Sequence, residues 1–166
     1  LGGELLGVAF LDLADLAHSL VNLLDYQTRE DLGFRIRLGP NLACRLPQRG
    51  LTRSLYHLLR NAAEACAGRD SGEIVLDCRL DGPQLRIQVI DNGPGLPPDL
   101  LAGGLRTYAA ARPGRALGLC SVERFVNGLG GRLLLTNRRS GGARVTIVLP
   151  ADCHVPVAPA AGATSG

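Results

Sequence analysis

Leucine and other apolar residues recur at helical spacing in three segments of the chain. The first segment covers residues 9–29, and intervals of three and four residues there predict an amphipathic helix. A second helix is predicted over residues 51–67, and Gly68 is a plausible C-terminal stop for it. A third is predicted from Leu117 to Leu129, followed by a pair of glycines. The hydrophobic pattern therefore predicts three helices.

Apolar and polar residues alternate in the segments between these helices, which is typical of half-buried strands. The alternating segments are 34–38, 73–80, 84–90, 132–137 and 143–149. Asp81-Gly82-Pro83 and Ser140-Gly141-Gly142 are turn sequences, so the last four segments are predicted to form two antiparallel hairpins. This order of elements indicates an α+β fold, a two-layer sandwich whose mixed, mostly antiparallel sheet is covered on one face by about three helices.

Two internal segments lack a clear period and are predicted as loops. One runs from Pro40 to Pro47. The other covers residues 92–116 and is rich in Gly, Pro and Ala. A loop of that length inside a compact domain usually has a function. We expect one domain over residues 1–150 and a flexible Pro/Ala/Gly-rich tail over residues 151–166.

Composition narrows the class of protein. The 166 residues, 46% of them hydrophobic, are enough for one globular core, and the absence of methionine suggests a fragment of a longer protein. A net charge of +3 with scattered arginines argues against nucleic acid. No apolar run reaches the ~18 residues of a membrane span. We therefore expect a cytoplasmic domain and leave a membrane anchor elsewhere in the parent protein open.

Cysteine usage argues against metal binding by thiols. Five cysteines occur, none of them in a CxxC pair. An odd number of isolated cysteines in mostly apolar surroundings predicts free buried thiols in a reducing compartment.

Candidate chemistry begins on the second predicted helix, in the segment His57–Ala65. His57, Asn61 and Glu64 are spaced i, i+4 and i+7, which places them on one helix face. A neutral amide oxygen such as that of Asn61 is a suitable ligand for Mg²⁺. The alternative is a half-exposed helix with a polar outer face.

The second candidate is Asp91-Asn92-Gly93-Pro94-Gly95, which ends a strongly alternating strand. A carboxylate at the end of a strand can accept a hydrogen bond from an exocyclic amine such as adenine N6. Gly93 and Gly95 lack a Cβ and would let the backbone approach a flat ring. An ordinary Asp-Asn-Gly turn is the alternative.

The third candidate, Gly114–Leu119, is a glycine-bearing loop that leads into the third predicted helix. The free N–H groups at a helix N-terminus can bind phosphate. Arg106, Arg112 and Arg115 belong to the same long loop and can reach phosphate oxygens. The alternative is a solvated arginine loop that caps a helix.

Together, in this order, the three segments resemble the N box and two glycine boxes of the GHKL ATP-binding fold. Within that fold they resemble the catalytic domain of bacterial sensor histidine kinases, nearest the nitrogen-regulation and oxygen-sensing type. The ending Gly142–Pro150 is similar to the closing strand of that domain, so the resemblance covers about residues 9–150.

This resemblance implies a nucleotide site for ATP and Mg²⁺. Asn61 would coordinate Mg²⁺, and Asp91 would bind the adenine amine. Gly93 and Gly95 would line the adenine slot, and residues 96–116 would form the ATP lid. The groups facing the phosphates would be Gly118, Leu119 and the lid arginines Arg106, Arg112 and Arg115.

The resemblance also predicts the reaction. GHKL ATPases place a glutamate four residues before the asparagine, whereas this chain has His57 there, as many histidine kinases do. We therefore expect a protein-histidine kinase with His57 and Asn61 as catalytic residues. The phospho-acceptor histidine is expected on an upstream dimerisation domain, because the surroundings of His18 and His154 do not fit one. A response regulator and a homodimeric parent protein are the other implied partners.

Some residues depart from the family pattern. Ala116 replaces a glycine of the second glycine box, and Ala143 replaces a threonine beside adenine. The lid also lacks the phenylalanines and the lysine that are usual there. The competing prediction is a degenerate GHKL module with weak or no nucleotide binding, which acts as a regulatory or docking domain.

Overall fold

The computed structural model of the protein describes residues 8–28 and 32–150. The helices in this part are α1 (Leu13–Thr28), α2 (Gln48–Cys66), α3 (Pro98–Ala111) and α4 (Leu117–Gly128). The strands are β1 (Val8–Asp12), β2 (Gly33–Leu38), β3 (Ala43–Pro47), β4 (Glu73–Asp81), β5 (Gln84–Asp91), β6 (Arg132–Asn137) and β7 (Ala143–Pro150). None of the helices in the described ranges is long and apolar enough to cross a membrane.

Five strands form the main sheet, in the order β2-β4-β5-β7-β6. The β2·β4 pair is parallel and the other pairs are antiparallel. Alternation along the strands brings Leu76, Ile87 and Ile147, all fully buried, into the hydrophobic core. Helices α2 and α4 pack on this face of the sheet. The α+β prediction, a mixed sheet covered by helices on one face, is confirmed.

The helix predicted over 9–29 begins later, at Leu13, because residues 8–12 form β1. Asp12 ends the strand and caps the helix: its Oδ1 accepts a hydrogen bond from the Ala14 N–H at 2.9 Å. The segment from Pro40 to Pro47, predicted as a loop, contains β3. This strand pairs with β1 in a separate two-stranded sheet, with Leu11 opposite Cys44.

Residues 92–116, predicted as one loop, contain the helix α3. Pro98 stands in its first turn, where the missing N–H of proline is not needed. The helix is kinked at Gly104, whose φ of 78° and ψ of 166° are not helical. The described residues therefore contain four helices, where the sequence predicted about three.

The other predicted elements are confirmed to within a few residues at their ends. Both hairpins form, and Gly68 ends α2 with a left-handed φ of 74°. Cys66, Cys78 and Cys120 are free thiols, as predicted; Cys44, Cys66 and Cys78 are buried, whereas Cys120 is half-buried. The predicted tail over residues 151–166, with Cys153 and His154, lies outside the described residues.

Candidate active site

Asp91 is held at the end of β5 by two backbone donors. The regular pairing of β5 with β7 ends at Ile90 and Arg144. One residue further on, the Asp91 Oδ1 atom accepts hydrogen bonds from the Gly93 N–H at 2.8 Å and the Ala143 N–H at 3.2 Å. The carboxylate thus ends the ladder, and its orientation is fixed by the loop after β5 and by the first residue of β7.

The second carboxylate oxygen of Asp91 is left for another partner. No hydrogen bond within the described ranges engages Oδ2, although the residue is only 5% exposed. Oδ2 is not itself fully buried, so it stays accessible from the cavity that Asp91 lines. The arrangement is therefore suited to a ligand that brings an N–H donor to this oxygen.

Asp91 lines a cavity of about 70 Å³ between α2 and the sheet. Apolar side chains make up most of its wall, which suits a flat ring, and Asp91 and Asn61 are its polar members. The lining residues are Leu58, Asn61, Ala62, Ala65, Val89, Asp91, Gly95, Leu96, Leu119, Ala143 and Val145. Of the predicted site residues, Asn61, Asp91, Gly95 and Leu119 are thus brought together.

His57 and Asn61 lie one turn apart on α2, beside the start of α4. Asn61 is exposed, and His57 is half-buried. A Cβ added at Gly118 would lie 3.5 Å from the His57 Nδ1 atom, so the first and third motifs are neighbours. Glu64 takes a different direction, because it forms an ion pair with Arg60 at 3.0 Å. Glu64 does not line the cavity.

The two glycines of the second motif have different surroundings. Gly95 lines the cavity with a φ of 88°, and a Cβ there would come within 3.0 Å of the Asn137 amide. Gly93 is not among the cavity-lining residues. A Cβ at Gly93 would lie 2.9 Å from the Ala65 carbonyl oxygen, so this glycine permits close packing against α2.

The third motif leads into α4 through a left-handed residue. Ala116 is the N-cap, with φ 60° and ψ 19°, and its side chain makes no capping hydrogen bond. The first intrahelical bond runs from the Cys120 N–H to the Ala116 carbonyl. The preceding N–H groups, including those of Gly118 and Leu119, have no acceptor within the helix and are available to an anion.

The three lid arginines are not equivalent. Arg112 forms an ion pair with Asp99 and also lies over the Tyr108 ring, 4.6 Å from its centroid. Arg106 and Arg115 are exposed, and neither has an ion pair within the part of the chain that the structure describes. Two of the three predicted phosphate-binding cations are therefore unengaged.

A larger, open groove of about 400 Å³ lies on the other side of α2, against α1. Its lining includes Leu24, Tyr56, Arg60 and Glu64. We assign the candidate site to the smaller cavity, because it contains the fixed carboxylate and three of the sequence motifs converge on it.

Sequence motifs did not indicate the contribution of the β6–β7 hairpin. Asn137 bonds to the backbone of Leu96, and Arg138 donates to the Asp91 carbonyl oxygen at 3.0 Å. These contacts join residues 41 and 47 positions apart in the chain. The sequence predicted the hairpin itself. It did not predict the register of the hairpin against β5, and this register brings Asn137 and Arg138 to the site.

Residues 47–152 match the family model described as "Histidine kinase-, DNA gyrase B-, and HSP90-like ATPase". Among curated proteins, a putative sensor histidine kinase NtrY-like of Rickettsia bellii is 34% identical over 94 residues, 56% of this chain. The sensor protein KdpD of Escherichia coli is 37% identical over 105 residues, 59% of this chain. The nitrogen regulation protein NtrY of Azorhizobium caulinodans is 32% identical over 126 residues, 72% of this chain.

These matches span only 15%, 11% and 16% of the three relatives' own lengths, respectively. Solved structures are similar in fold. The catalytic domain of histidine kinase ThkA superposes with a TM-score of 0.74 at 20% identity, covering 87% of this chain and 95% of that one. A mycobacterial sensor histidine kinase, MprB, gives 0.72 at 23%, with 90% and 99% covered.

Proposed function

The chain belongs to the family of histidine kinase-, DNA gyrase B- and HSP90-like ATPases, and we propose that it is the ATP-binding catalytic domain of a sensor histidine kinase. In this proposal it binds Mg-ATP and transfers the γ-phosphate to a histidine on a dimerisation domain outside this chain. The observation that carries the proposal is the Asp91 carboxylate, fixed through Oδ1 and open at Oδ2, in the wall of an apolar cavity.

The open Oδ2 atom favours adenine among the purine bases. Adenine presents an exocyclic amine, a donor, where guanine presents a carbonyl oxygen. The carboxylate would accept from the amine and repel the oxygen. Ligand pockets usually measure ~300–1,000 Å³, whereas this cavity measures about 70 Å³. Entry of a base therefore requires the cavity to widen, and the segment of the predicted lid that follows Leu96 is the part available to move.

The phosphate end would lie where α2 meets the start of α4. The exposed Asn61 amide oxygen fits Mg²⁺, which takes one or two protein oxygens and keeps the remaining positions for phosphate and water. When bound, Mg²⁺ supplies charge neutralisation for phosphoryl transfer. The N–H groups of Gly118 and Leu119 would face the phosphates, and Arg106 and Arg115 would add positive charge. Arg112 joins them only if it leaves Asp99.

His57 favours transfer over hydrolysis. It occupies the position, four residues before Asn61, where GHKL ATPases have a glutamate that activates water. It also packs beside Gly118 at the phosphate end. Phosphoryl transfer depends mainly on positioning and charge stabilisation, so this domain would hold ATP while the acceptor domain brings the nucleophile. A response regulator and a homodimeric parent protein complete the proposal.

Calorimetric titration with a non-hydrolysable ATP analogue and Mg²⁺ tests the nucleotide site. Asp91→Asn is expected to weaken binding at least tenfold, a loss of about 1.4 kcal/mol, because an amide cannot offer acceptors to both the backbone donors and the base. Asp70→Asn is the matched control, since Asp70 is exposed in a turn outside the cavity. Absence of binding at millimolar nucleotide would instead favour a docking module.

A further inference from the structure

The end of β6 and the turn into β7 contact Asp91, which begins the second motif, and Leu96, which directly follows it. Asn137, Arg138 and Gly142 of this segment are called the hairpin clamp below. At one end, the Arg138 Nη1 atom donates to the main-chain oxygen of Asp91 at 3.0 Å. Gly142, with a φ of 95°, approaches this carbonyl so closely that a Cβ would overlap the oxygen. The Asp91 carbonyl therefore points into the clamp and not into the cavity.

Arg138 is itself held in place by the turn. Its N–H donates to the Gly142 carbonyl at 2.9 Å, and its own carbonyl accepts from the Gly141 N–H at 3.1 Å. These two bonds fix the main chain of Arg138, from which the guanidinium group extends to Asp91. Because Ala143, the next residue, donates to Asp91 Oδ1, one hairpin fixes both the main chain and the side chain of Asp91.

At the other end of the motif, Asn137 pairs with Leu96 in both directions. Its Oδ1 atom accepts from the Leu96 N–H at 2.8 Å, and its Nδ2 donates to the Leu96 carbonyl at 3.2 Å. The amide thus imitates the backbone of a neighbouring strand. Leu96 lines the cavity and is the first residue of the predicted lid, so Asn137 holds the point from which the rest of the lid would move.

We propose that Asn137 and Arg138 are positioning residues of the nucleotide site. Arg138 keeps the open oxygen of Asp91 in the direction of the incoming base. Asn137 sets the hinge of the lid at Leu96. The inference rests on the proposed function, because positioning matters for catalysis only if the cavity binds a nucleotide. Neither side chain belongs to the hydrophobic core, so their removal is expected to affect the site more than the fold.

Discrimination between bases tests Arg138, because a purely structural residue would not change it. Titrations compare the non-hydrolysable analogues of ATP and GTP, each with Mg²⁺. Arg138→Ala is expected to reduce the ratio of the two affinities about tenfold, and Arg138→Lys to restore part of it. Arg139→Ala is the matched control, since Arg139 is exposed in the same turn. A lowered melting temperature with an unchanged ratio would overturn the assignment.

Amide hydrogen exchange of the nucleotide-free chain tests both residues without depending on ligand. Arg138→Ala is expected to speed exchange at the Gly93 and Ala143 amides, whose acceptor is Asp91 Oδ1. Asn137→Ala is expected to speed exchange at the Leu96 amide, with strands β4 and β5 unchanged. Wild-type rates at these amides would refute the clamp. If the variants change these exchange rates as expected but the wild-type chain binds no nucleotide, the proposed function is refuted and the positioning role of the clamp is not.

Discussion

Ala116 and Ala143 depart from the family pattern with different physical consequences. Ala143 contributes its backbone N–H to Asp91 Oδ1, and any residue other than proline supplies that donor. Alanine in place of threonine removes a hydroxyl group from the cavity wall but leaves the Asp91 anchor intact. Ala116 instead places a Cβ in the left-handed region, at φ 60°, where glycine is favoured.

Ala116→Gly is expected to stabilise the protein. A side chain in the left-handed conformation costs ~1 kcal/mol, so its removal should raise the free energy of unfolding by about that amount, measured by urea denaturation. Ala110→Gly is the matched control in the exposed part of α3, where glycine is expected to lower stability by ~1 kcal/mol. If Ala116→Gly also lowered stability, the strain at residue 116 would be excluded.

Cys78 makes the stability sensitive to alkaline pH. Burial, followed by the nearby charges of Asp77 and Cys44, raises the pKa of the Cys78 thiol to about 12 from an ordinary value of 9.0. The unfolded chain therefore loses this proton first. The contribution to stability is present below pH 9 and is lost as the pH rises towards 12, at up to ~1.4 kcal/mol per pH unit.

Urea denaturation between pH 8 and pH 11 measures this effect. The free energy of unfolding is expected to fall more steeply with pH for the wild-type chain than for Cys78→Ala, which lacks the titrating group. Cys66 also has a raised pKa and titrates in both proteins, so the difference between the curves isolates Cys78. Parallel curves would contradict the assignment.

At the level of elements, the kink in α3 explains an ion pair that a straight helix could not form. Asp99 and Arg112 are 13 positions apart, or ~20 Å along a straight helix at 1.5 Å per residue. They nevertheless form an ion pair, because the chain changes direction at Gly104. Both side chains are nearly half exposed, so the pair contributes ~1 kcal/mol at most.

A pair this weak can be exchanged for phosphate. Asp99→Asn is expected to free Arg112 and to tighten binding of the ATP analogue several-fold in low salt. The gain should shrink at 200 mM salt, because exposed charges are then screened. Asp15→Asn, in the first turn of α1, is the control. Weaker binding by Asp99→Asn would mean that the pair holds the lid in its binding conformation.

The elements that the sequence predicted correctly are those specified by local residues. Both hairpins have glycine-containing turns, and α2 has a long apolar stripe followed by Gly68. Strands β1 and β3 were missed, because each has five residues and their pairing joins distant segments. The helix α3 was missed because Gly103 and Gly104 interrupt a segment with only two buried residues, Leu100 and Leu105.

The same distinction applies to the site. Asn61 and Asp91 were identified by their local motifs, and both line the cavity. Asn137 and Arg138 were not, because their contacts depend on how two hairpins meet in the sheet. The ion pairs of Glu64 with Arg60 and of Arg112 with Asp99 could not be predicted from residue spacing either. Spacing gives the helix face of a residue, whereas its side-chain partners decide where the charged group lies.

For the whole molecule, the position of the histidines bears on where phosphate is transferred. Phosphoryl transfer requires the reacting atoms to approach within ~3–3.5 Å. His18 is exposed on α1, and α1 packs on α2 at the groove, on the opposite side of α2 from the cavity. His57 is half-buried beside Gly118 and does not line the cavity. Neither is placed as an acceptor, which supports the proposal that the acceptor lies outside the described residues.

Incubation of the 166-residue chain with Mg-ATP is therefore expected to give no acid-labile phosphohistidine, whether His18 is present or replaced by alanine. Under the proposed function, addition of a histidine-containing dimerisation domain of a sensor histidine kinase should produce the modification on that domain, because it supplies the missing nucleophile. Asn61→Ala is expected to abolish the transfer through loss of the proposed metal ligand, whereas Asn22→Ala, exposed on α1 and outside the cavity lining, should preserve it. Acid-labile phosphate on the 166-residue chain alone would contradict transfer between domains, and transfer undiminished by Asn61→Ala would contradict the metal assignment.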